Sequence, residues 1–109
     1  MKIKERQAIY NKYGCRCAYC GKEIKYKDMQ VDHIEPQTWR LIINNSFSNL
    51  NPSCRRCNHY KRDSDLEQFR GLMRTLHKRI QEKYINKVAI DYGIIEIKPF
   101  DGLFYFEKV

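Results

Sequence analysis

At 109 residues, with 42% apolar and 31% charged side chains, the chain has room for one domain around one modest hydrophobic core. No apolar run approaches the roughly 18 residues of a membrane helix, and the opening Met1-Lys2-Ile3-Lys4-Glu5-Arg6 is charged with nothing apolar behind it. Neither a signal peptide nor a membrane anchor is therefore expected, and a cytoplasmic location follows by default. The formal charge is +8 and lies entirely in one half: residues 1–62 hold 13 Lys/Arg against 5 Asp/Glu, and residues 63–109 hold 8 of each. A polyanion is the economical partner for such a surface, nucleic acid ahead of an anionic membrane.

Residues 3–13 can form a short amphipathic helix with Ile3, Ile9, Tyr10 and Tyr13 on or near one side, and Gly14 suits its end. Cys15 and the pair Cys17-Ala18-Tyr19-Cys20 follow, with a turn expected around Gly21-Lys22-Glu23. Met29 to Ile34 alternates like a half-buried strand, with Met29 and Val31 on the core face and Asp32 on the other; Pro36 limits its length. Residues 37–53 join an apolar patch at Trp39, Leu41, Ile42 and Ile43 to an Asn- and Ser-rich run, the composition of an anchored loop. The second pair, Cys54-Arg55-Arg56-Cys57, leads into a short helix carrying Lys61 and Arg62.

Leu66, Phe69, Leu72, Met73, Leu76, Ile80 and Tyr84 recur at helical spacing behind a Ser64–Glu67 capping box, which predicts one helix over residues 64–84. From Val88 the alternation, with an Asp101-Gly102 turn, reads as a β-hairpin over 88–109. No linker or repeat interrupts the chain, so a single domain over 1–109 is expected.

Two C-x-x-C pairs in a chain of this kind favour a four-thiolate zinc site on Cys17, Cys20, Cys54 and Cys57 over disulfides. Zinc would compensate for a core too small to stabilise the chain alone. Cys15 is left over, as a partly buried thiol or a neighbour of the site. His77 lies inside the long helix and reads as a packed or surface residue. His33 differs, because Asp32 precedes it within the basic half. Phosphodiester hydrolysis needs a base for water, a hard cation for the phosphate charge and groups that hold both. Histidine suits the first role, and Asp and Asn oxygens suit Mg²⁺ or Mn²⁺.

The combined pattern, Cys17/Cys20, then Asp32-His33-Ile34-Glu35-Pro36, then Asn49-Leu50 and Cys54-Arg55-Arg56-Cys57-Asn58-His59-Tyr60-Lys61, resembles the HNH endonuclease family, in the group whose ββα-metal motif is braced by four cysteines. Ser64 to Arg70 is also similar to the corresponding segment of phage and bacterial members. The resemblance covers residues 14–71. It implies an α+β fold with a ββα-metal (His-Me finger) core, structural zinc, flanking helices and, from the alternation above, the C-terminal hairpin. It implies His33 as general base, Asp32 as ligand of a catalytic Mg²⁺ or Mn²⁺, and Asn49 as the residue that orients the histidine or its loop, with Asn45 the alternative. Asn58 is the implied second metal ligand, and His59, one residue on, either replaces it or contacts phosphate. Lys61 either holds the substrate backbone or anchors the helix; Arg55, Arg56 and Arg62 complete the basic residues expected to face nucleic acid.

The implied activity is metal-dependent hydrolysis of DNA, as a monomer or as a C₂ dimer formed through the long helix or the hairpin, without membrane involvement. A non-catalytic zinc module that binds nucleic acid, and a nuclease subunit dependent on a partner, are the alternatives.

Overall fold

The computed structural model describes residues 1–36 and 44–109; the apolar loop patch of Trp39, Leu41, Ile42 and Ile43 lies outside the described residues. Its elements are helix α1 (Ile3–Asn11), strands β1 (Gln30–His33) and β2 (Leu50–Ser53), and helices α2 (Arg55–Lys61), α3 (Leu66–Arg74), α4 (Leu76–Gln81) and α5 (Tyr84–Asp91). Short 3₁₀ turns lie at Tyr26–Asp28, Phe47–Asn49 and Tyr105–Glu107. The chain divides into two compact units, Met1–Leu66 with Phe104–Val109, and Glu67–Leu103. No helix among the described residues is long and apolar enough to cross a membrane.

The first unit contains the ββα core. β1 and β2 pair antiparallel with Gln30 opposite Ser53, Val31 opposite Pro52, Asp32 opposite Asn51 and His33 opposite Leu50. Pro52 has no N–H to give the ladder, but its carbonyl accepts from Ala18 N–H at 2.8 Å, which seats the first cysteine pair beside β2. The buried apolar side chains include Ile9, Ala18, Tyr19, Ile24, Met29, Leu50 and Phe104.

α1 contributes less apolar surface than its sequence suggests. Ile9 is its one buried residue, while Ile3 is exposed. Polar side chains attach it instead. Arg6 Nη2 donates to Tyr26 O and Met29 O at 2.9 Å each, Tyr10 Oη donates to Ile24 O at 2.8 Å, and Lys12 Nζ donates to Phe47 O and Leu50 O at 2.8 Å. A small core thus gains side-chain bonds to backbone carbonyls that strands and helices leave open.

The segment expected to form a hairpin does not. Residues 84–91 are helical, and the Tyr92-Gly93 that follows is a helix stop rather than part of a strand. Gly93 adopts φ +71°, its N–H bonds Ile90 O at 3.0 Å, and Ile94 N–H bonds Ala89 O at 2.9 Å. This is the paired bonding of a Schellman motif, which requires the left-handed conformation that glycine supplies without steric cost. Val88, Ala89 and Ile90 alternate with neither side clearly polar, so they fit a helix once Tyr84-Ile85-Asn86 begins one. The Asp101-Gly102 turn is present, closed by Leu103 N–H on Asp101 Oδ1 at 3.0 Å, but no strands flank it.

The helix expected over 64–84 is divided into α3 and α4, with α5 beginning at its last residue. Ser64 does not cap it; its hydroxyl donates to Lys61 O, and Glu67 instead accepts from Arg70 Nε at 3.0 Å. At Thr75 the hydroxyl donates back to Leu72 O at 3.2 Å, the local competition by which β-branched hydroxyl residues end helices. Lys83 is extended. Tyr84, the last residue of the apolar stripe, is exposed.

Phe104 to Val109 belong to the first unit. Tyr105 N–H bonds Tyr19 O at 3.1 Å, Phe106 N–H bonds Ala18 O at 2.8 Å, and the rings of Phe104 and Phe106 meet Tyr19 edge-on at centroid distances of 5.4 and 5.9 Å. Gly21 makes this approach feasible. Its φ is +80°, and a Cβ there would fall 2.8 Å from Tyr105 Cδ1. Gly21→Ala is predicted to destabilise the protein by about 1–3 kcal/mol through both backbone strain and overpacking; urea unfolding should show a lower midpoint at an unchanged slope.

Candidate active site and metal centre

The first cysteine pair forms a tight loop: Cys17 N–H bonds Lys22 O at 2.9 Å and Gly21 N–H bonds Cys17 O at 3.0 Å. The second pair caps α2, with Cys54 Sγ accepting from Cys57 N–H at 3.3 Å. The sulfurs of Cys17, Cys20, Cys54 and Cys57 all lie within 4.8 Å of one another, and Cys20 Sγ is 3.9 Å from Cys54 Sγ. A tetrahedron of sulfurs about 2.3 Å from a central zinc has edges of about 3.8 Å, so these four residues fit that ion. Hydrogen bonds from Cys20 and Cys57 hold the Cys17 thiol far below its ordinary range, while bonding to Cys17 and Cys20 pushes Cys57 up. Cys15 stands outside the cluster, half-buried at φ +64°, with Sγ 3.9 Å from Asn11 Oδ1.

α2 starts at the cysteines and ends beside β1. Lys61, its last residue, has a fully buried side chain with three kinds of partner: Asp32 Oδ2 at 3.2 Å, His33 O at 3.0 Å and Ser64 O at 2.8 Å. The ammonium so enclosed ties the end of α2 to β1. Asp32 is also the buried residue of β1, whereas Val31 is only half-buried, the reverse of the expected strand faces. The inward face of β1 is polar because Lys61 and Tyr19 wait there. Tyr19 donates its hydroxyl to Asp32 Oδ2. Burial raises the Asp32 carboxyl above its ordinary value, against the lowering effects of Tyr19 and Lys61. Burial and the neighbouring Asp32 push the Tyr19 hydroxyl far up, so it remains a neutral donor.

His33 ends β1, half-exposed, with Nε2 2.9 Å from Asn45 Oδ1. Asn49 is buried and serves the loop: Oδ1 accepts from Glu35 N–H at 2.8 Å, and Nδ2 donates to Asn44 O at 2.8 Å and to Glu35 O at 3.3 Å. The ring contact and the loop contact are thus divided between Asn45 and Asn49. A cavity of about 250 Å³ is lined by Asp32, His33, Asn58, Arg62 and Asp63, with Val31 and Pro36 as its apolar wall. His59 is absent from that wall. It lines a separate groove with Arg55 and Arg56 on another side of α2.

Arg62 enters the cavity from the C-cap of α2 with φ 53°, an uncommon conformation for a side chain other than glycine. Sequence reasoning missed Tyr19, Asn51 and Asp63. Tyr19 sits inside a cysteine loop, where an aromatic residue reads as packing. Asn51, fully buried opposite Asp32, sits in a polar run that reads as loop, and Asp63 follows a charged stretch with no spacing of its own.

Two outcomes follow from this geometry. Stripping zinc with a strong chelator should unfold the first unit, seen as loss of helical and near-ultraviolet circular dichroism, because structural zinc sites contribute about 10 kcal/mol or more. Lys61→Met should destabilise by about 3–5 kcal/mol by leaving Asp32 buried without its cation, and adding Asp32→Asn should recover part of that loss in thermal melts.

A family model described as HNH endonuclease matches residues 17–64. The chain is 48% identical over 48 residues to the CRISPR-associated endonuclease Cas9 of Actinomyces naeslundii, covering 44% of this chain and 4% of that protein. It is 38% identical over 56 residues to the Cas9 of Corynebacterium diphtheriae, covering 51% of this chain and 5% of the relative. Among solved structures, the crystal structure of the Type II-C Cas9 enzyme from Actinomyces naeslundii superposes with a TM-score of 0.56 at 36% identity, over 62% of this chain and 8% of that one. The chain therefore spans about a twentieth of the length of these curated relatives. With its strand-bound Asp-His pair, its helix opening on the second cysteine pair and its clustered thiols, the region from Cys17 to Ser64 belongs to the HNH endonuclease family.

Proposed function

We propose that the chain is a metal-dependent DNA endonuclease that hydrolyses phosphodiester bonds with His33 as general base. The observation that carries this reading is the single cavity into which β1 delivers Asp32 and His33 and α2 delivers Asn58 and Arg62. Residues distant in sequence converge there in a combination that phosphoryl chemistry uses: a base, hard oxygen donors and a fixed cation.

Asn45 Oδ1, 2.9 Å from His33 Nε2, orients the imidazole that takes the proton from the attacking water, and Asn49 fixes the loop from which Asn45 projects. Asp32 and Asn58 would hold Mg²⁺ or Mn²⁺, since a carboxylate and an amide oxygen are the donors those ions favour. When bound, that cation supplies charge stabilisation for the phosphate and the departing 3′ oxygen. Lys61 and Tyr19 keep the Asp32 carboxylate in place, and Arg62 neutralises the phosphate that enters the cavity. Zinc on the four cysteines is structural in this reading, because four thiolates leave no open position for water.

Plasmid cleavage with Mg²⁺ or Mn²⁺, and with neither, tests the proposal. Cleavage should require the divalent ion and should fall about 10²–10⁴-fold in His33→Ala, the usual contribution of a general base. Asn58→Ala should fall comparably, whereas His59→Ala should cost far less. A parent protein that binds DNA but never cuts it would leave a zinc-braced binding module as the correct description.

A further inference from the structure

α5 has an apolar face that its own unit leaves uncovered. No residue of the helix is buried. Asn86, Ala89 and Ile90 are half-buried, and Asn86 Nδ2 donates to Ile80 O at 2.8 Å, so this is the side that meets α4. Tyr84 is 82% exposed, Ile85 74% and Tyr92 79%, and Val88 is exposed with them. At about 100° per residue these four fall within an arc of about 100°, one continuous stripe along both turns of the helix. A tyrosine carries about 150–250 Å² of surface, so two of them together with Ile85 and Val88 make a patch of the size that marks an interaction surface rather than scattered apolar residues.

The edges of the stripe decide what fits against it. On one edge stand Lys87 and Asp91, both exposed and one turn apart, and neither has an ion pair or a side-chain hydrogen bond among the described residues. On the other edge is Ala89, small enough for close approach. An edge with one cation and one anion has no net charge to attract a polyanion or an anionic membrane. What it matches is an edge with the same two charges in reverse order, and the same helix running the opposite way has one. In a two-fold antiparallel pair each edge meets its own counterpart. Lys87 of one copy then faces Asp91 of the other, and the reverse. Val88, midway between Tyr84 and Tyr92, meets its equivalent at the two-fold axis, and each Tyr84 comes level with the Tyr92 across the seam. A parallel pair would set the charged edge against Ala89 and leave both charges unmatched.

We propose that the face of α5 carrying Tyr84, Val88 and Tyr92 is the seam of a two-fold, antiparallel dimer of this chain. The assignment is independent of the nuclease reading, since none of these residues lines the cavity of His33. Two turns of helix bury less than the roughly 800 Å² per partner of a standard interface, so the dimer forms in the micromolar range rather than tighter.

Sedimentation equilibrium of the full chain with zinc bound, from low micromolar to about 1 mM, tests the assignment. The parent should pass from monomer to dimer across that range. Val88→Glu sets two carboxylates together at the axis and should raise the dissociation constant more than about tenfold. Lys87→Glu gives an edge of two anions and Asp91→Lys an edge of two cations. Each should weaken self-association, whereas an equimolar mixture of the two variants should dimerise at least as well as the parent. Circular dichroism and zinc content check that every variant stays folded, and all three substituted side chains are exposed. A parent that remains monomeric at about 1 mM overturns the assignment and leaves the face to a partner of different sequence. A dimer that survives Val88→Glu, or charge variants that fail to recover on mixing, overturns it as well, because the seam would then lie elsewhere or run in the other direction.

Discussion

The ammonium of Lys61 is enclosed by oxygens from three parts of the chain: the Asp32 side chain, the His33 carbonyl and the Ser64 carbonyl. Burying an ion pair is costly unless every proton is used, and here the three protons of the lysine each have an oxygen to meet. The geometric result matters more than the energy. The C-terminal end of α2 is tied to β1 at Asp32 and His33, while at its N-terminal end Cys54 and Cys57 cluster with the first cysteine pair. A helix of seven residues has no independent stability, yet this one is held at both ends and cannot rotate.

That fixed rotation distributes the functions of α2 around its axis. Cys57 turns toward the thiol cluster and Lys61 toward Asp32. Asn58 and Arg62, four residues apart and so on one face, turn toward the cavity of His33, and Arg55, Arg56 and His59 turn toward the basic groove. Neighbouring residues Asn58 and His59 thereby serve different surfaces.

The parts of the fold that were readable in the residues are those with local spacing rules. The cysteine pairs, the Asp-His dipeptide before a proline and the short helix after Cys54 each declare themselves within a few positions, and the ββα core follows from them. The partners of Asp32 were not readable, because Tyr19 and Lys61 reach it from loops and helix ends whose approach depends on the assembled unit. Val31 and Asp32 depart from the expected faces for the same reason: alternation assumes that the apolar side is buried, which holds for Met29, whereas β1 buries a carboxylate. In the second unit the error lay in punctuation. Gly93 and Thr75 end helices through hydrogen bonds to carbonyls three to five residues back, and a periodicity count sees apolar residues but not those bonds.

The return of Phe104 to Val109 onto Ala18 and Tyr19 makes the first unit discontinuous in sequence, with the whole of Glu67–Leu103 inserted before its last piece. During synthesis all four cysteines are added before the aromatic residues that cover Tyr19. The thiols thus precede part of the core that surrounds them, and the hydroxyl that steadies Asp32 takes its cover from a later segment. Packing around Tyr19, and through its hydroxyl around Asp32, therefore depends on a segment more than forty residues beyond the last of the four cysteines.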